Sequence, residues 1–363
     1  MFTIQKMSSA SEWYYLSLVN YYLGGRSRKK AKKRRRPGED DFPDDDSDFD
    51  PDDSAITDAD PYTINTPGEP PGKWWEEGKG AAALGLVGMV REDDYHLVFQ
   101  GFHPSTKIEL VQNAGLPTRR AGYECCFSVP KPVSVLWTQM SPADRERLQK
   151  VVWQAAEAAL RLIEQRFVYS RVGKASEGCS YVHVGLVVPM FEHAAARPTF
   201  QHHPDPDLHI HAQLLNLGVD KEGHWRSIEP KAIFANQRII TGYWRAFLAA
   251  GLRAEFGLTA EAKRNGFTLP DVPEELVKLY SKRSKVILEY RAEKGLTGKA
   301  ARSRAALATR ERKDPPIARQ QLFDQWQKTN VAAGFGDKQV AKLLRHGPRK
   351  PKGTIKKVVQ EAV

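Results

Sequence analysis

Short runs of apolar residues, alternating with polar residues in places, recur along the chain and predict four strands. They cover residues 2–7, 123–129, 181–190 and 208–219. The last of these strands is followed at 221–223 by a Lys-Glu-Gly turn. The chain is therefore expected to return through 225–228 as the second arm of a hairpin.

A helical periodicity predicts helices between and after these strands. The clearest helix begins at Ser141-Pro142, where serine is a good N-cap, proline suits the first helical position and Asp144 stands at the capping-box position. Its apolar stripe consists of Leu148, Val151, Val152, Ala155, Ala159, Leu162 and Ile163. Further helices are predicted over 12–23, 230–256 and 273–293, and a helix start followed by a glycine-containing turn over 79–90.

One segment, 26–60, has almost no hydrophobic residues. It begins with a basic run and then changes to an acidic run. Such a segment cannot bury enough apolar surface to fold, so we interpret it as a disordered insertion. Its basic half is expected either to touch DNA or, as we favour, to neutralise the acidic half. The chain then divides into 1–25, the insertion 26–70, a core 71–300 and a basic, partly helical extension 301–363.

Charge and cysteine content narrow the class of protein. The net charge is +11, and a chain this basic commonly has a polyanionic partner, most often nucleic acid. The three cysteines have no C-x-x-C spacing, which indicates buried thiols in a reducing compartment rather than disulfides or a thiolate metal site. No segment has the length and apolarity of a signal peptide or a membrane span. We therefore expect a soluble, cytoplasmic protein, and no phosphate-binding loop of an ATP-driven motor is present.

A pair of histidines on one predicted strand is a candidate metal site. His209 and His211 are two residues apart, so both imidazoles lie on one face of the strand while Leu208, Ile210 and Ala212 face the core. Two imidazoles on a rigid strand make half of a site for a divalent metal ion. We take His193 as the third ligand, with the competitors His202 and His203. The alternative interpretation is a pair of half-buried histidines without a metal.

Four tyrosines on the predicted helix 12–23 are candidate nucleophiles. The pairs Tyr14-Tyr15 and Tyr21-Tyr22 are seven residues apart, and two helical turns bring them to a similar side of the helix. A tyrosine can attack a phosphodiester and hold the product as a covalent phosphotyrosine, provided that a metal or base favours its phenolate. The alternative is an aromatic packing stripe.

Taken in order along the chain, these residues resemble the MobF class of conjugative relaxases in the HUH endonuclease superfamily. The resemblance spans nearly the whole chain apart from the insertion and the last few dozen residues. It rests on the two tyrosine pairs and on five further pieces. These are 75–80 with 84–86, the Phe-Ser-Val-Pro-Lys-Pro-Val-Ser run at 127–134, Phe-Glu-His at 191–193 with 205–212, 223–226, and 280–283 with 290–295 and 308–310.

The resemblance implies a mixed α/β fold with an antiparallel sheet of about five strands. Helices flank the sheet, the metal lies on its central strands, and a helical C-terminal part closes over DNA. It also implies roles for particular residues. Tyr14 corresponds to the nucleophile, Tyr21 or Tyr22 to a second pair serving a later transfer, and His193, His209 and His211 to the metal ligands. The metal is Mg, Mn or Zn.

Three features depart from the family pattern. Glu124 stands where the family has an aspartate that orients a histidine, the gap between His193 and His209 is longer, and the charged insertion follows the tyrosines directly. Lys131 and Arg226 are candidates for contact with DNA phosphates, each with the alternative of a structural or solvated charge.

The function implied is that of a relaxase that nicks single-stranded DNA at an origin of transfer. Tyr14 would hold the 5′ phosphate and the strand would later be religated. Accessory and coupling proteins of the relaxosome are possible partners. A rolling-circle replication initiator of the same chemistry and a catalytically inactive DNA-binding module are the alternative functions.

Overall fold

A computed structural model describes residues 2–7, 68–173, 178–196, 203–264, 266–309 and 317–344. The predicted tyrosine helix 12–23, with Tyr14, Tyr15, Tyr21 and Tyr22, lies outside the described residues, as does nearly all of the insertion.

Twelve strands are present in the described part of the chain. They are β1 (Phe2–Met7), β2 (Lys73–Trp74), β3 (Gly122–Ser128), β4 (Tyr169–Val172), β5 (Ser180–His183), β6 (Gly185–Leu186), β7 (Pro189–Ala195), β8 (Pro206–Leu215), β9 (Gly218–Val219), β10 (Trp225–Arg226), β11 (Glu261–Lys263) and β12 (Gly266–Thr268).

Eleven helices are described with them. They are α1 (Lys79–Ala83), α2 (Glu92–Gln100), α3 (Lys131–Gln139), α4 (Pro142–Arg166), α5 (Lys231–Ala235), α6 (Gln237–Phe256), α7 (Glu274–Leu279), α8 (Lys282–Glu293), α9 (Gly298–Ala308), α10 (Arg319–Ala332) and α11 (Asp337–Leu344).

The centre of the fold is a five-stranded sheet with the strand order β1-β3-β8-β7-β2. Every neighbouring pair in it is antiparallel. The longest strand, β8, lies in the middle, so its backbone is hydrogen-bonded on both edges and its side chains are held firmly. The prediction of an α/β fold on an antiparallel sheet of about five strands is therefore confirmed.

Two hydrophobic cores, one on each face of this sheet, fix which way the side chains of β8 point. The larger core packs the sheet against α3, α4 and α6 and includes Leu208, Ile210 and Ala212, which are fully buried as predicted. The smaller core lies against α1 and α2 on the opposite face. Because side chains alternate along a strand, the odd-numbered residues of β8 point to that opposite face.

The long helix α4 follows its prediction closely. The Ser141 hydroxyl oxygen accepts a hydrogen bond from the Asp144 amide at 3.2 Å, and the Ser141 hydroxyl donates to the Asp144 carboxylate at 2.8 Å. The first bond is the N-cap half of a capping box, while the Asp144 carboxylate contacts the Ser141 hydroxyl instead of its backbone amide. Its stripe packs the helix onto the larger core through Leu148, Val151, Val152, Ala155, Ala159 and Ile163.

Several predicted elements are divided in the structure. The strand predicted over 181–190 is three strands, β5 to β7, and the strand predicted over 208–219 is two, β8 and β9. In the second case Asn216 redirects the chain. Its side-chain amide donates to the Arg120 carbonyl at 3.0 Å and accepts from the Ile228 amide at 2.8 Å, so it ties three segments together where β8 ends. The predicted hairpin is confirmed, because β10 pairs antiparallel with β9.

The helix predicted over 273–293 also divides, into α7 and α8. The backbone amide of Lys282, the first residue of α8, donates to the Asp205 carboxylate at 3.0 Å. A residue just before β8 thus supplies an acceptor for one of the first amides of α8, which have no partner within the helix. Likewise the helix predicted over 230–256 is α5 and α6, separated at Asn236. None of the described helices combines the length and the apolarity needed to cross a bilayer.

The C-terminal helix α10 packs against the sheet layer through α3. The Asn330 amide donates to the Thr138 hydroxyl at 2.9 Å, and the Tyr280 hydroxyl donates to the Asn330 side-chain oxygen at 2.8 Å. All three side chains are buried. Buried hydrogen bonds thus join α10 to α3, the helix that follows β3. The domain boundaries remain predictions.

Candidate metal centre

Three histidine side chains come together on the face of the sheet opposite the larger core. The ring centres of His209 and His211 lie 4.9 Å apart, and that of His193 lies 5.3 Å from His209 and 5.1 Å from His211. His193 and His209 are directly opposite each other on the paired strands β7 and β8. The cluster therefore follows from strand register and the period of two, not from loop conformation.

The two β8 histidines are each held through their Nδ1 atom. Nδ1 of His211 lies 2.7 Å from Oε1 of Glu124, and Nδ1 of His209 lies 2.7 Å from the Asp207 carbonyl oxygen. The other oxygen of Glu124 accepts a hydrogen bond from the Gln5 amide. Since each Nδ1 faces an acceptor, it carries the proton, and Nε2 of each ring is left with a free lone pair. Such outer partners orient histidine ligands in metalloproteins.

The third imidazole, His193, has no such partner. Its side chain is 2% exposed, and neither ring nitrogen has a hydrogen-bond partner among the described residues. A buried polar group left without a partner costs about 1–3 kcal/mol. An imidazole in this position, beside two others, suits a ligand of a metal ion.

Burial and charge both favour neutral imidazoles here. Burial lowers the pKa of His193 well below its usual value, and the neighbouring His211, His209 and Arg319 lower it further. Burial also lowers the pKa of His209, against the opposing effect of Asp207. Burial raises the pKa of Glu124, but His211 and the hydrogen bonds outweigh it, and the pKa lies below its ordinary value. His193 and His209 are thus favoured as neutral nitrogen donors beside an ionised carboxylate, as metal binding requires.

Cys126 is a further potential ligand that sequence reasoning missed. It lies directly opposite His211 in the pairing of β3 with β8. One donor atom from each of Cys126, His209 and His211 lies within 4.8 Å of the other two. Burial raises the pKa of its thiol, and the carboxylates of Glu124 and Asp207 add to this effect. The signal in the sequence was the period of two that places residues 124 and 126 on one face. The prediction of three buried thiols was wrong for Cys179, which is exposed.

Only one of the two competing histidines lies among the described residues. His203 is exposed in the loop before β8. His202 lies outside the described residues. The ligand assignment of His193 remains a prediction, now with a geometry to support it.

The two candidate DNA contacts have partners within the chain. The Lys131 ammonium donates to the Pro206 carbonyl at 2.8 Å, and the Arg226 guanidinium donates to the Asp220 carboxylate at 2.7 Å. Each therefore has a structural role. Contact of either residue with DNA phosphates stays a prediction.

A buried charge cluster, also not predicted, anchors the strand that carries His193. The Arg319 guanidinium of α10 donates to Glu192 at 2.9 Å and forms a salt bridge with Glu69. Both carboxylates are almost fully buried. Glu69 also accepts the backbone amide of Ala194 at 2.8 Å, and the indole of Trp153 donates to Glu192 at 2.8 Å. The residues on both sides of His193 are thereby fixed.

Comparisons with known proteins identify the family of the chain. The family model described as TrwC relaxase matches residues 44–333. The multifunctional conjugation protein TraI of Escherichia coli K12 is 29% identical over 288 residues, which cover 76% of this chain and 15% of TraI. A second Escherichia coli TraI is 28% identical over the same length and share. The chain therefore corresponds to about a seventh of the length of these relatives.

Solved structures share the fold. The relaxase TrwC in a metal-free complex with origin-of-transfer DNA superposes with a TM-score of 0.69 at 21% identity, covering 92% of this chain and 99% of the solved TrwC chain. Copper-bound TrwC with the same kind of DNA gives a TM-score of 0.68 with the same identity and coverage. Since the family model covers well over half of the chain, the resemblance to MobF-class relaxases is confirmed, and the chain belongs to the TrwC relaxase family.

Proposed function

We propose that this chain is a conjugative relaxase that nicks one strand of DNA at an origin of transfer and later rejoins it. The observation that carries the proposal is the cluster of three imidazoles on β7 and β8, with His211 oriented by Glu124. Family membership supports it, as does the fact that the TrwC structures were solved with origin-of-transfer DNA.

His193, His209 and His211 are proposed to hold a divalent metal ion, with Mg, Mn and Zn as the candidates. When bound, the ion would polarise a non-bridging oxygen of the scissile phosphate and neutralise developing charge. The orphaned nitrogens of buried His193 and the free Nε2 atoms of the other two rings fit such a ligand. Metal-bound and copper-bound forms of TrwC support a divalent ion in this fold.

The strand transfer is assigned to Tyr14. Its phenolic oxygen attacks the phosphorus in line, a bond between that oxygen and phosphorus forms, and the bond to the 3′ oxygen breaks. The 3′ oxygen leaves and takes up a proton, while the 5′ phosphate stays on Tyr14. Attack by a 3′-hydroxyl reverses the step, so the energy of the bond is kept and no ATP is consumed. Tyr21 or Tyr22 of the second pair is proposed to serve a later transfer, and Tyr15 stays a catalytic candidate beside Tyr14.

The substrate is proposed to be single-stranded DNA. The net charge of +11 favours binding to its phosphates, and aromatic side chains can stack bases. Lys131 and Arg226 would contribute positive charge, and their hydrogen bonds to Pro206 and Asp220 hold each side chain in position. Relaxosome accessory and coupling proteins are proposed as further partners.

A nicking assay tests this function. The protein is incubated with labelled single-stranded oligonucleotides tiled across the adjacent non-coding DNA, with and without Mn²⁺, and resolved on a denaturing gel. We expect a metal-dependent cut and a covalent protein–DNA band, both absent from Tyr14→Phe and His211→Ala and retained by the control Tyr181→Phe, whose ring is half-exposed on β5. Binding to every oligonucleotide without a cut would support a DNA-binding module instead.

A further inference from the structure

A sulfur atom lies beside the three imidazoles. Cys126 occupies β3 between Glu124 and Ser128, and these three side chains project to the histidine-bearing face because successive residues of a strand alternate. The contact between Glu124 and His211 establishes that this is the face in question. The neighbouring Cys125 points the other way and is fully buried in the larger core.

We propose that Cys126 supplies a thiolate ligand to the ion held by His193, His209 and His211, and that this centre prefers a thiophilic ion such as Zn²⁺ to Mg²⁺. The inference rests on the metal centre of the proposed function and adds to it a fourth donor and a metal preference.

For Cys126, His209 and His211 the distances are compatible with a shared ion. Zinc binds sulfur at about 2.3 Å and imidazole nitrogen at about 2.0–2.1 Å, so two donors of one ion lie within about 4.4 Å of each other. The donor atoms of Cys126, His209 and His211 lie within 4.8 Å of one another. That separation is within about 0.4 Å of what one shared ion requires.

An independent observation indicates a ligand at the same place. His193 is buried with both ring nitrogens unpartnered among the described residues, and its ring lies beside those of His209 and His211. Two strands on either side of β8 therefore each direct a potential ligand toward its histidines. Cys126 comes from β3 and His193 comes from β7.

The chemistry of the donor set then decides which metals it favours. Thiolate is a soft ligand that selects zinc, copper and other thiophilic ions, whereas Mg²⁺ takes oxygen ligands. A set of three imidazoles and one thiolate contains no oxygen. Catalytic zinc sites commonly keep three protein ligands and can expand to five-coordination. A fourth protein donor here means that a phosphate oxygen joins by expansion or replaces one donor.

Cobalt substitution tests the sulfur ligand directly. The full chain is loaded with Co²⁺, and its absorption spectrum is recorded without DNA. We expect visible ligand-field bands from the histidine-bound ion together with a near-ultraviolet thiolate-to-cobalt charge-transfer band. Cys126→Thr, which has nearly the same volume, should lose the charge-transfer band and keep the visible bands, which show that the site is still formed.

The other two cysteines provide the matched control. The double variant Cys125→Ala/Cys179→Ser leaves Cys126 as the sole thiol of the chain and should keep the charge-transfer band. Visible bands without a charge-transfer band in the unaltered chain would overturn the sulfur ligand and leave the histidine site standing. The absence of both kinds of band would overturn the histidine site of the proposed function, and the sulfur ligand with it.

Metal affinity gives a second readout. Loss of even an outer partner of a metal ligand lowers affinity about 10- to 100-fold. We therefore expect Cys126→Thr to weaken Zn²⁺ binding by at least about tenfold in competition with a chromophoric chelator, and to leave Mg²⁺ binding unchanged. Equal Zn²⁺ affinity in the variant and the unaltered chain would contradict the proposal.

Discussion

The carboxylate of Glu124 lies 2.7 Å from Nδ1 of His211 across the pairing of β3 with β8. The residue is one methylene longer than the aspartate that the family resemblance implied here, yet it reaches the ring. Gln5 on β1 donates to its second oxygen. Three adjacent strands thus cooperate to set the orientation of one imidazole.

Removal of this carboxylate should weaken metal binding. Glu124→Ala leaves His211 without its acceptor, and loss of an outer partner lowers metal affinity about 10- to 100-fold. Titration calorimetry with Mn²⁺ measures the change. Glu146→Ala, an exposed position on α4, is the matched control and should bind like the unaltered chain. Unchanged affinity in Glu124→Ala would show that the carboxylate does not support the metal centre.

The ratio of bound metal to protein in histidine variants tests which residue is the third histidine ligand. We expect His193→Ala to lose stoichiometric metal, because its ring alone joins those of β8 in the described structure. His202→Ala and His203→Ala should keep the metal, and elemental analysis of the purified proteins gives the ratio. Retention of metal by His193→Ala together with its loss from either loop variant would reassign the ligand.

Arg319→Met tests the buried charge cluster. The change leaves the carboxylates of Glu69 and Glu192 buried without their cation, and breaking a buried ion pair on one side costs about 3–5 kcal/mol. Urea denaturation followed by circular dichroism should show a loss of unfolding free energy of this size. Arg253→Met on α6 removes an exposed arginine and should change it by less than about 0.5 kcal/mol. A similar small loss in Arg319→Met would mean that the cluster contributes little.

Glu69 should make stability depend on pH near neutrality. Burial raises its pKa from the ordinary 4.5 to about 7, against the opposing effects of Arg319 and the Ala194 amide. Between these two values the folded chain binds more protons than the unfolded chain, so this contribution is present below about pH 4.5 and is lost as the pH rises through 7. Glu69→Gln removes the titrating carboxyl group and with it this dependence of stability on pH.

Melting temperatures of both proteins, measured from pH 5 to 8 with a chelator present, check this sign. The unaltered chain should lose stability relative to Glu69→Gln as the pH rises. A constant difference would place the pKa of Glu69 at its ordinary value, and a difference of the opposite slope would place it below that value.

Local pattern was enough for β1, β3 and β8 of the central sheet and for half of the site, whereas the five-stranded antiparallel arrangement came from the family resemblance. The period of two placed His209 and His211 on one face, and the core residues between them were predicted correctly. His193 was a candidate with two competitors, because strand pairing across the sheet is not readable from one sequence. The breaks at Asn216 and before Lys282 depend on hydrogen bonds to distant segments, so periodicity could not reveal them. Arg319 and Glu69 are 250 positions apart, beyond any local pattern.

The ion pair between Arg319 and Glu69 couples the docking of α10 to the position of His193. Arg319 belongs to a C-terminal helix and Glu69 to the segment just before β2, and both are fastened to the two residues that flank His193. Thermodynamic linkage is reciprocal, so whatever holds His193 in place also strengthens the docking of α10, and the reverse. Metal bound at the histidine site should therefore slow amide hydrogen exchange in α10, although this helix supplies none of the metal ligands.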